Sequence, residues 1–264
     1  MTRPKYFVVT DIEGVAGIDS FDVTRADDET VKAPAMDQLG REVNAAVAGI
    51  RSVRPDAHVD VWDGHGNGGL RASDVTDATY CTEGKPYFDL DGYDAMLFVG
   101  QHAMAGTIQA PLCHTYSSRH VASYRLNGVF IGEFGARALV AGRQGLPTVY
   151  LSGDDKAARE AEQFVPEIVT TVVKRGDGIE NASHMDQQAA CTAIRTDVAQ
   201  AVDRATEIDP FDALEPPYTL EIRYRESVDD DTVRAHSDGG DVEVTRIDAR
   251  TVQLESTALD SLPL

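Results

Sequence analysis

At 264 residues and 28.6 kDa, the chain can bury one substantial core with at most a small appended unit. A formal charge of −20 and a pI near 4.6 disfavour nucleic acid and anionic membrane as partners, and no apolar run approaches the ~18 residues that would span a bilayer. Three widely spaced cysteines, Cys81, Cys113 and Cys191, and the direct passage from TRPK into a first strand, without the pattern of a secretion signal, predict a cytoplasmic protein with free thiols.

The first hydrophobic run, Tyr6, Phe7, Val8 and Val9 in YFVVTDIEGVAG, reads as a buried strand that delivers Asp11 and Glu13 at its C-terminal end. Residues two apart share one face of a strand, so two carboxylates converge there, and like charges so placed call for a compensating cation. Gly14 and Gly17 then let the backbone turn tightly away. HVDVWD alternates as a second strand and runs into Gly64, His65 and Gly66, while YDAMLFVG is a third and runs into Gln101 and His102. A D-x-E alone is common, and a lone histidine is usually structural. Three strands that end alike on metal-competent side chains are another matter, because that edge is where open α/β sheets bind ligands. RLNGVFIGEFG carries an Asn-Gly hairpin signal, after which Glu133 opens a predicted helix in FGARALVAG, where it either stabilises the helix dipole or joins the other candidates.

LPTVYLSG predicts a further strand and DKAAREAE a helix, for which Asp154 and Asp155 are natural caps at a strand end that also allows pocket contact. The long amphipathic stretch MDQQAACTAIRTDVAQAVDRATEI closes this alternation, which predicts an α/β fold with a mostly parallel sheet flanked by helices. Pro210, Pro216 and Pro217 mark a linker, and YTLEIRYR, DVEVTRID and TVQLES then alternate with period two. The expected division is an α/β metal-binding catalytic domain over residues 1–209 and a small C-terminal antiparallel, β-rich unit over 210–264.

Carboxylate and imidazole donors without thiolate suit Zn²⁺, Mn²⁺ or Fe²⁺ in a reactive site better than a structural zinc finger. Asp11, Glu13, His65, His102 and Glu133 exceed the needs of one tetrahedral zinc. They match two divalent metal ions that share a bridging carboxylate and leave positions open for water, which is a hydrolytic centre.

The stretches TDIEGVAGI, WDGHGN, FVGQHAMAGT, PLCHTYS, VFIGEFGARALVAG, LPTVYLSGDDKAAREAE and TVVKRG resemble, in order, the zinc-dependent D-aminopeptidase family of DppA-type metallopeptidases. The resemblance implies release of N-terminal D-amino acids from short peptides or amides, two zinc ions (manganese being the alternative), and a homo-oligomeric ring such as a decamer. It implies that Asp11 bridges the metals, that Glu13 and His102 complete one site and His65 and Glu133 the other, and that His114 takes the place of the family's catalytic histidine. Peptide hydrolysis also needs a proton for the departing amine, and a histidine titrating near neutrality suits that task, so the residue chemistry favours His114 as acid, base or oxyanion stabiliser over nucleophile. The chain departs from the family in ending soon after TALDSLPL, where relatives continue into a helix that bears on the oligomer. The loop around TIQAPLC is also slightly longer and is expected to reshape the pocket.

Other candidates read as structural. His120 is expected in a strand entry or pocket wall, Cys113 as a buried inert thiol, and His184 (at the start of the long helix) and His236 (in a polar loop) as solvated. Ser117 and Ser118 lack the G-x-S-x-G elbow of a serine hydrolase. The alternatives are a two-metal amidohydrolase or phosphoesterase on a non-peptide substrate, with Arg119, Arg125 and Arg137 as a phosphate clamp, or a non-catalytic assembly protein of the same fold. Lysine is scarce, at five residues, and Asp greatly outnumbers Glu, a composition expected of a salt-adapted surface.

Overall fold

The computed structural model describes residues 3–82, 84–237 and 241–264. In chain order the elements are β1 (Lys5–Thr10), the short α1 (Phe21–Thr24), α2 (Glu29–Val53), β2 (His58–Asp63), β3 (Thr79–Cys81) and β4 (Ala95–Gln101). The hairpin β5 (Val121–Leu126) and β6 (Val129–Phe130) follows, then α3 (Glu133–Arg143), β7 (Thr148–Asp154), α4 (Asp155–Phe164), β8 (Val169–Gly178), β9 (Asn181–His184) and α5 (Gln187–Asp203). The chain finishes with β10 (Tyr218–Tyr224), α6 (Asp230–Ser237), β11 (Glu243–Asp248) and β12 (Thr251–Ser256).

The larger sheet has the order β3-β2-β1-β4-β7-β8-β9, parallel throughout except for the antiparallel edge pair β8–β9. Every residue of β4 and β7 is buried, as expected where helices cover a parallel sheet. The apolar stripe of α2, formed by Ala35, Leu39, Val43, Ala46 and Ile50, packs on this core and against α5; a Cβ at Gly49 would press into the backbone of Arg195 and the side chain of Val198. Because β2 leaves β1 on one side and β4 joins it on the other, the strand order reverses at β1. That reversal opens the crevice in which doubly wound sheets bind ligands.

The smaller antiparallel sheet has the order β11-β12-β10-β5-β6. The unit expected over 210–264 is therefore completed from elsewhere: β10 pairs along β5, register Ile222↔Tyr124, so the mid-chain hairpin ties both segments into one sheet. The Asn-Gly signal is realised, with Asn127 and Gly128 both at positive φ (48° and 83°) between the paired Leu126 and Val129. His236 differs from expectation. It lies in α6, with Nε2 2.7 Å from the Tyr224 hydroxyl, because Asp229 caps an additional helix by accepting from the Thr232 amide.

Candidate metal centre

The ends of β1 and β4 are stitched together by backbone hydrogen bonds, Asp11 N to Val99 O (2.9 Å) and Gly14 N to Gly100 O (2.7 Å). Such an approach requires glycine. Gly100 has φ +79°, and a Cβ on it would collide with the Asp11 carbonyl; one on Gly14 would collide with the Gln101 carbonyl. The crossing turns Asp11, Glu13 and His102 into one volume, and β2 brings His65 beside them. Asp63, the last residue of β2, shapes the His65 loop by accepting from the amides of His65 (3.2 Å), Gly69 (2.7 Å) and Leu70 (2.9 Å).

All six residues singled out from the sequence meet here. His65 Nε2 lies 3.2 Å from Glu13 Oε1; His102 Nε2 lies 3.2 Å from Asp11 Oδ2 and 3.6 Å from Glu133 Oε1; His114 Nε2 lies 3.8 Å from Glu133 Oε1. Ligand atoms fall into two groups, each within 4.8 Å: Asp11, Glu13 and His65, and His102, His114 and Glu133. Glu133, the first residue of α3, accepts the Tyr116 amide on Oε1 (2.8 Å) and faces Arg137 Nη2 with Oε2 (3.1 Å). The Arg137 guanidinium lies over the rings of Trp62, Tyr87 and Tyr116, at 5.3, 5.8 and 5.7 Å.

Ionisation follows from burial and crowding. Burial and the neighbouring Glu13 carboxylate push Asp11 up to about 7. Burial opposes the charge on Glu13, but His65 overrides it and holds that carboxyl well below its usual range. Burial also works against a charged His65, yet Glu13 and Asp11 raise it to about 9. His102 is raised in the same way by Asp11 and Glu133. His114 goes the other way: burial and the His102 charge push it down to about 4, so it is neutral at pH 7.

The donor set fits divalent cations. It is all carboxylate oxygen and imidazole nitrogen, and Glu13 Oε2, His65 Nδ1 and His102 Nε2 are buried with no hydrogen-bond partner among the described residues. Both inner histidines are held as one tautomer, His102 Nδ1–H donating to Ala103 O and His114 Nδ1–H to Leu112 O (2.9 Å each), which aims each Nε2 inward.

Sequence reasoning left several supporting residues without a role. Lys174 donates to the carbonyls of Glu13 and Ile18, and Lys32 to Asn67 O (3.1 Å), Asn67 Oδ1 (2.9 Å) and Gly68 O (2.9 Å), so two of the five lysines fasten the two ligand loops. Lysine scarcity was the available signal. His184 is not in the long helix but ends β9, where Nδ1 accepts from Gly17 N (3.0 Å) behind the Asp11 loop. Asp154 caps α4 as expected and also accepts from Ala103 N (3.2 Å) beside His102. Cys113 is buried with its thiol raised by burial, and His120 lines an adjoining cavity of about 450 Å³ with Tyr124 and Tyr224. Of the three arginines considered for a phosphate clamp, Arg119 and Arg137 line the central cavity, whereas Arg125 pairs with Glu221 (2.6 Å) on the smaller sheet.

A buried carboxylate–imidazole cluster at the carboxyl edge of a doubly wound sheet has the donors and the placement that a metal-dependent hydrolase needs. Residues 5–262 match the M55 peptidase family, described as D-aminopeptidase, and the chain belongs to that family. A D-aminopeptidase of Bacillus subtilis (strain 168) is 36% identical over 97 residues, 34% of this chain and 34% of the relative, so this chain aligns with about a third of that protein's length. In fold the chain is similar to the Zn-dependent D-aminopeptidase DppA from Bacillus subtilis, a self-compartmentalizing protease, with a TM-score of 0.85 and 22% identity over 97% of this chain and 93% of that one.

Proposed function

We propose that the chain is a two-metal aminopeptidase that releases N-terminal D-amino acids from short peptides or amides. The observation that carries this reading is the convergence of Asp11, Glu13, His65 and Glu133, with His114, on one cavity of about 390 Å³, with His102 directly behind Asp11 and Glu133, in a chain of the D-aminopeptidase family. Asp11, grouped with Glu13 and His65 and facing His102, would serve as the bridging carboxylate. Among the side-chain contacts Glu13 lies against His65, and His102 against Asp11 and Glu133, while the resemblance would pair Glu13 with His102 and His65 with Glu133. When bound, the ions supply Lewis acidity for the scissile carbonyl and a lowered pKa for water.

The protein's own groups handle the protons. His114 is neutral, its Nδ1–H is committed to Leu112 and its Nε2 faces the cavity, a placement from which it would relay a proton between the attacking water and the departing amine; burial beside His102 makes it a weaker base than the near-neutral histidine expected from the sequence. Arg137 occupies Glu133 Oε2 and leaves Oε1 facing His102. Zinc is the metal this reading assigns, with manganese as competitor, in a homo-oligomeric ring such as a decamer. The free thiols Cys81, Cys113 and Cys191 accord with a cytoplasmic site of action, and no helix among the described residues is long and apolar enough to cross a membrane.

The test is a panel of D- and L-alanyl amides and dipeptides with zinc or manganese added. Turnover of the D-forms is expected; turnover of L-forms alone, or none after metal reconstitution, rejects the assignment. A second reading, phosphoester hydrolysis, draws on Arg25 and Arg119 in the same cavity. A phosphomonoester that outcompetes every amide would move the assignment there.

A further inference from the structure

The central cavity is not uniformly acidic. Three arginines line it beside Asp11, Glu13, Asp27 and Glu133: Arg137 pairs with Glu133, whereas Arg25 and Arg119 make no ion pair among the described residues. Arg25 is fixed in place: Nε donates to Ser118 Oγ (2.9 Å), Nη2 to Ser118 O (3.3 Å), and the guanidinium stacks 3.5 Å over the Phe21 ring. The edge of Phe21 meets His114, at 6.1 Å between centroids, so a single aromatic ring links the arginine to the proposed proton carrier. Arg119, next in sequence to Ser118, is exposed at the rim. Burial and the Arg119 charge both act against the charge on Arg25, a repulsion that an anion between the two would relieve.

We propose that Arg25 and Arg119 form a subsite for the C-terminal carboxylate of a dipeptide or tripeptide, making the enzyme select very short peptides with a free C-terminus over amides and longer chains. This rests on the peptidase reading above and names the substrate class for it. A guanidinium pair matches a carboxylate by charge-assisted hydrogen bonds. In a chain of net charge −20, which repels anions as a whole, an unpaired cationic pair beside the carboxylate cluster is a local exception. The cavity's size agrees, since about 390 Å³ is near the small end of ligand pockets, which run from about 300 to 1,000 Å³.

The experiment compares D-alanyl-D-alanine with its C-terminal amide in the zinc-loaded wild type and in Arg25→Gln, Arg119→Gln, the double variant and Arg25→Lys. The wild type should show a KM roughly tenfold or more lower for the free dipeptide, the size expected of a charged hydrogen bond. The Gln variants should raise that KM with kcat and the amide's KM unchanged, the double variant should treat both substrates alike, and Arg25→Lys should restore part of the difference. Equal KM values in the wild type, or variants that alter both substrates equally or alter kcat alone, overturn the proposal. Binding is read separately from the fluorescence of Trp62, the chain's one tryptophan, with D-alanine against D-alaninol, neither of which has a scissile bond. If no alanyl peptide is hydrolysed yet D-alanine binds in an Arg25-dependent way, the carboxylate subsite stands and the peptidase reading falls. If D-alaninol binds as well as D-alanine, the subsite falls.

Discussion

His102 and His114 stack face to face, their ring centroids 3.9 Å apart and their planes within 14°. Each donates Nδ1–H to a nearby carbonyl and presents Nε2 to the same volume. Two imidazoles so close cannot both carry charge at low cost, and the pair resolves into unlike partners: His102 sits among Asp11 and Glu133, while His114 is left neutral. One ring is thereby suited to be a ligand and its neighbour to be a base.

That division predicts unlike losses. His114→Ala should keep its metal content and lower kcat by about 10²- to 10⁴-fold, the range for removing a general base. His102→Ala should lose metal. Elemental analysis alongside steady-state kinetics separates the two, and equal metal loss in both variants would show that the roles are misassigned.

Asp11→Ala should empty both metal positions, because the carboxylate faces His102 on one side and shares a ligand group with Glu13 and His65 on the other. His65→Ala should spare one. The check is zinc per chain in protein purified without chelator. Retention of about one equivalent in Asp11→Ala rules out a bridging carboxylate.

The two buried lysines should differ in what they support. Lys174→Met leaves the carbonyls of Glu13 and Ile18 without a donor and removes the cation facing Asp154 and Glu42, a loss of about 3–5 kcal/mol. Lys32 binds a loop whose Asn67 is exposed to water, so Lys32→Met should cost about 1 kcal/mol and act mainly by weakening zinc binding near His65. Urea denaturation and zinc titration give the order; equal destabilisation would contradict it.

Most of the fold, and the list of candidate ligands, was legible because each lies on a local pattern. Val8, Val61 and Phe98 belong to runs that only a buried strand explains, and Asp11, His65 and His102 follow those runs directly. Asn127 and Gly128 declared their hairpin. What was not legible depends on partners far along the chain. That β5 would pair with β10 rests on contacts between residues almost a hundred positions apart, such as Ile222 with Tyr124. Lys174 reaches the Glu13 loop from the far half of the sheet, and Arg25 gains meaning only from Ser118 and Phe21. Spacing along one strand carries no trace of such meetings.

Glu160 supplies a pH test. Its Oε2 accepts from Met104 N (2.7 Å), Oε1 is buried without a hydrogen-bond partner among the described residues, and burial raises the carboxyl from 4.5 to about 7. A carboxyl whose folded pKa is raised adds stability below its unfolded pKa and loses it as pH rises through the folded one, so the window is about pH 4.5 to 7. Glu160→Gln, which mimics the protonated form, should match the wild type near pH 4.5 and exceed it by up to about 3 kcal/mol above pH 8. Chemical denaturation of chelator-treated protein across that range decides, and parallel pH profiles for the two proteins would dismiss the idea.

Salt should favour this protein. A net charge of −20 on 264 residues repels itself at low ionic strength, and docking like-charged subunits compounds the repulsion. Screening shortens the reach of that repulsion from about 10 Å at 0.1 M to about 3 Å at 1 M. The buried ion pairs of the site, such as Arg137 with Glu133, are shielded from solvent and should be little affected over the same range. Assembly and activity should therefore rise together as potassium chloride is raised from dilute buffer into the molar range, with metal content unchanged. Sedimentation velocity, zinc content and turnover along one salt series test this. An oligomer that is complete in dilute buffer and dissociates in molar salt would show that its contacts are mainly attractive ion pairs, and the prediction would fail without touching the metal site.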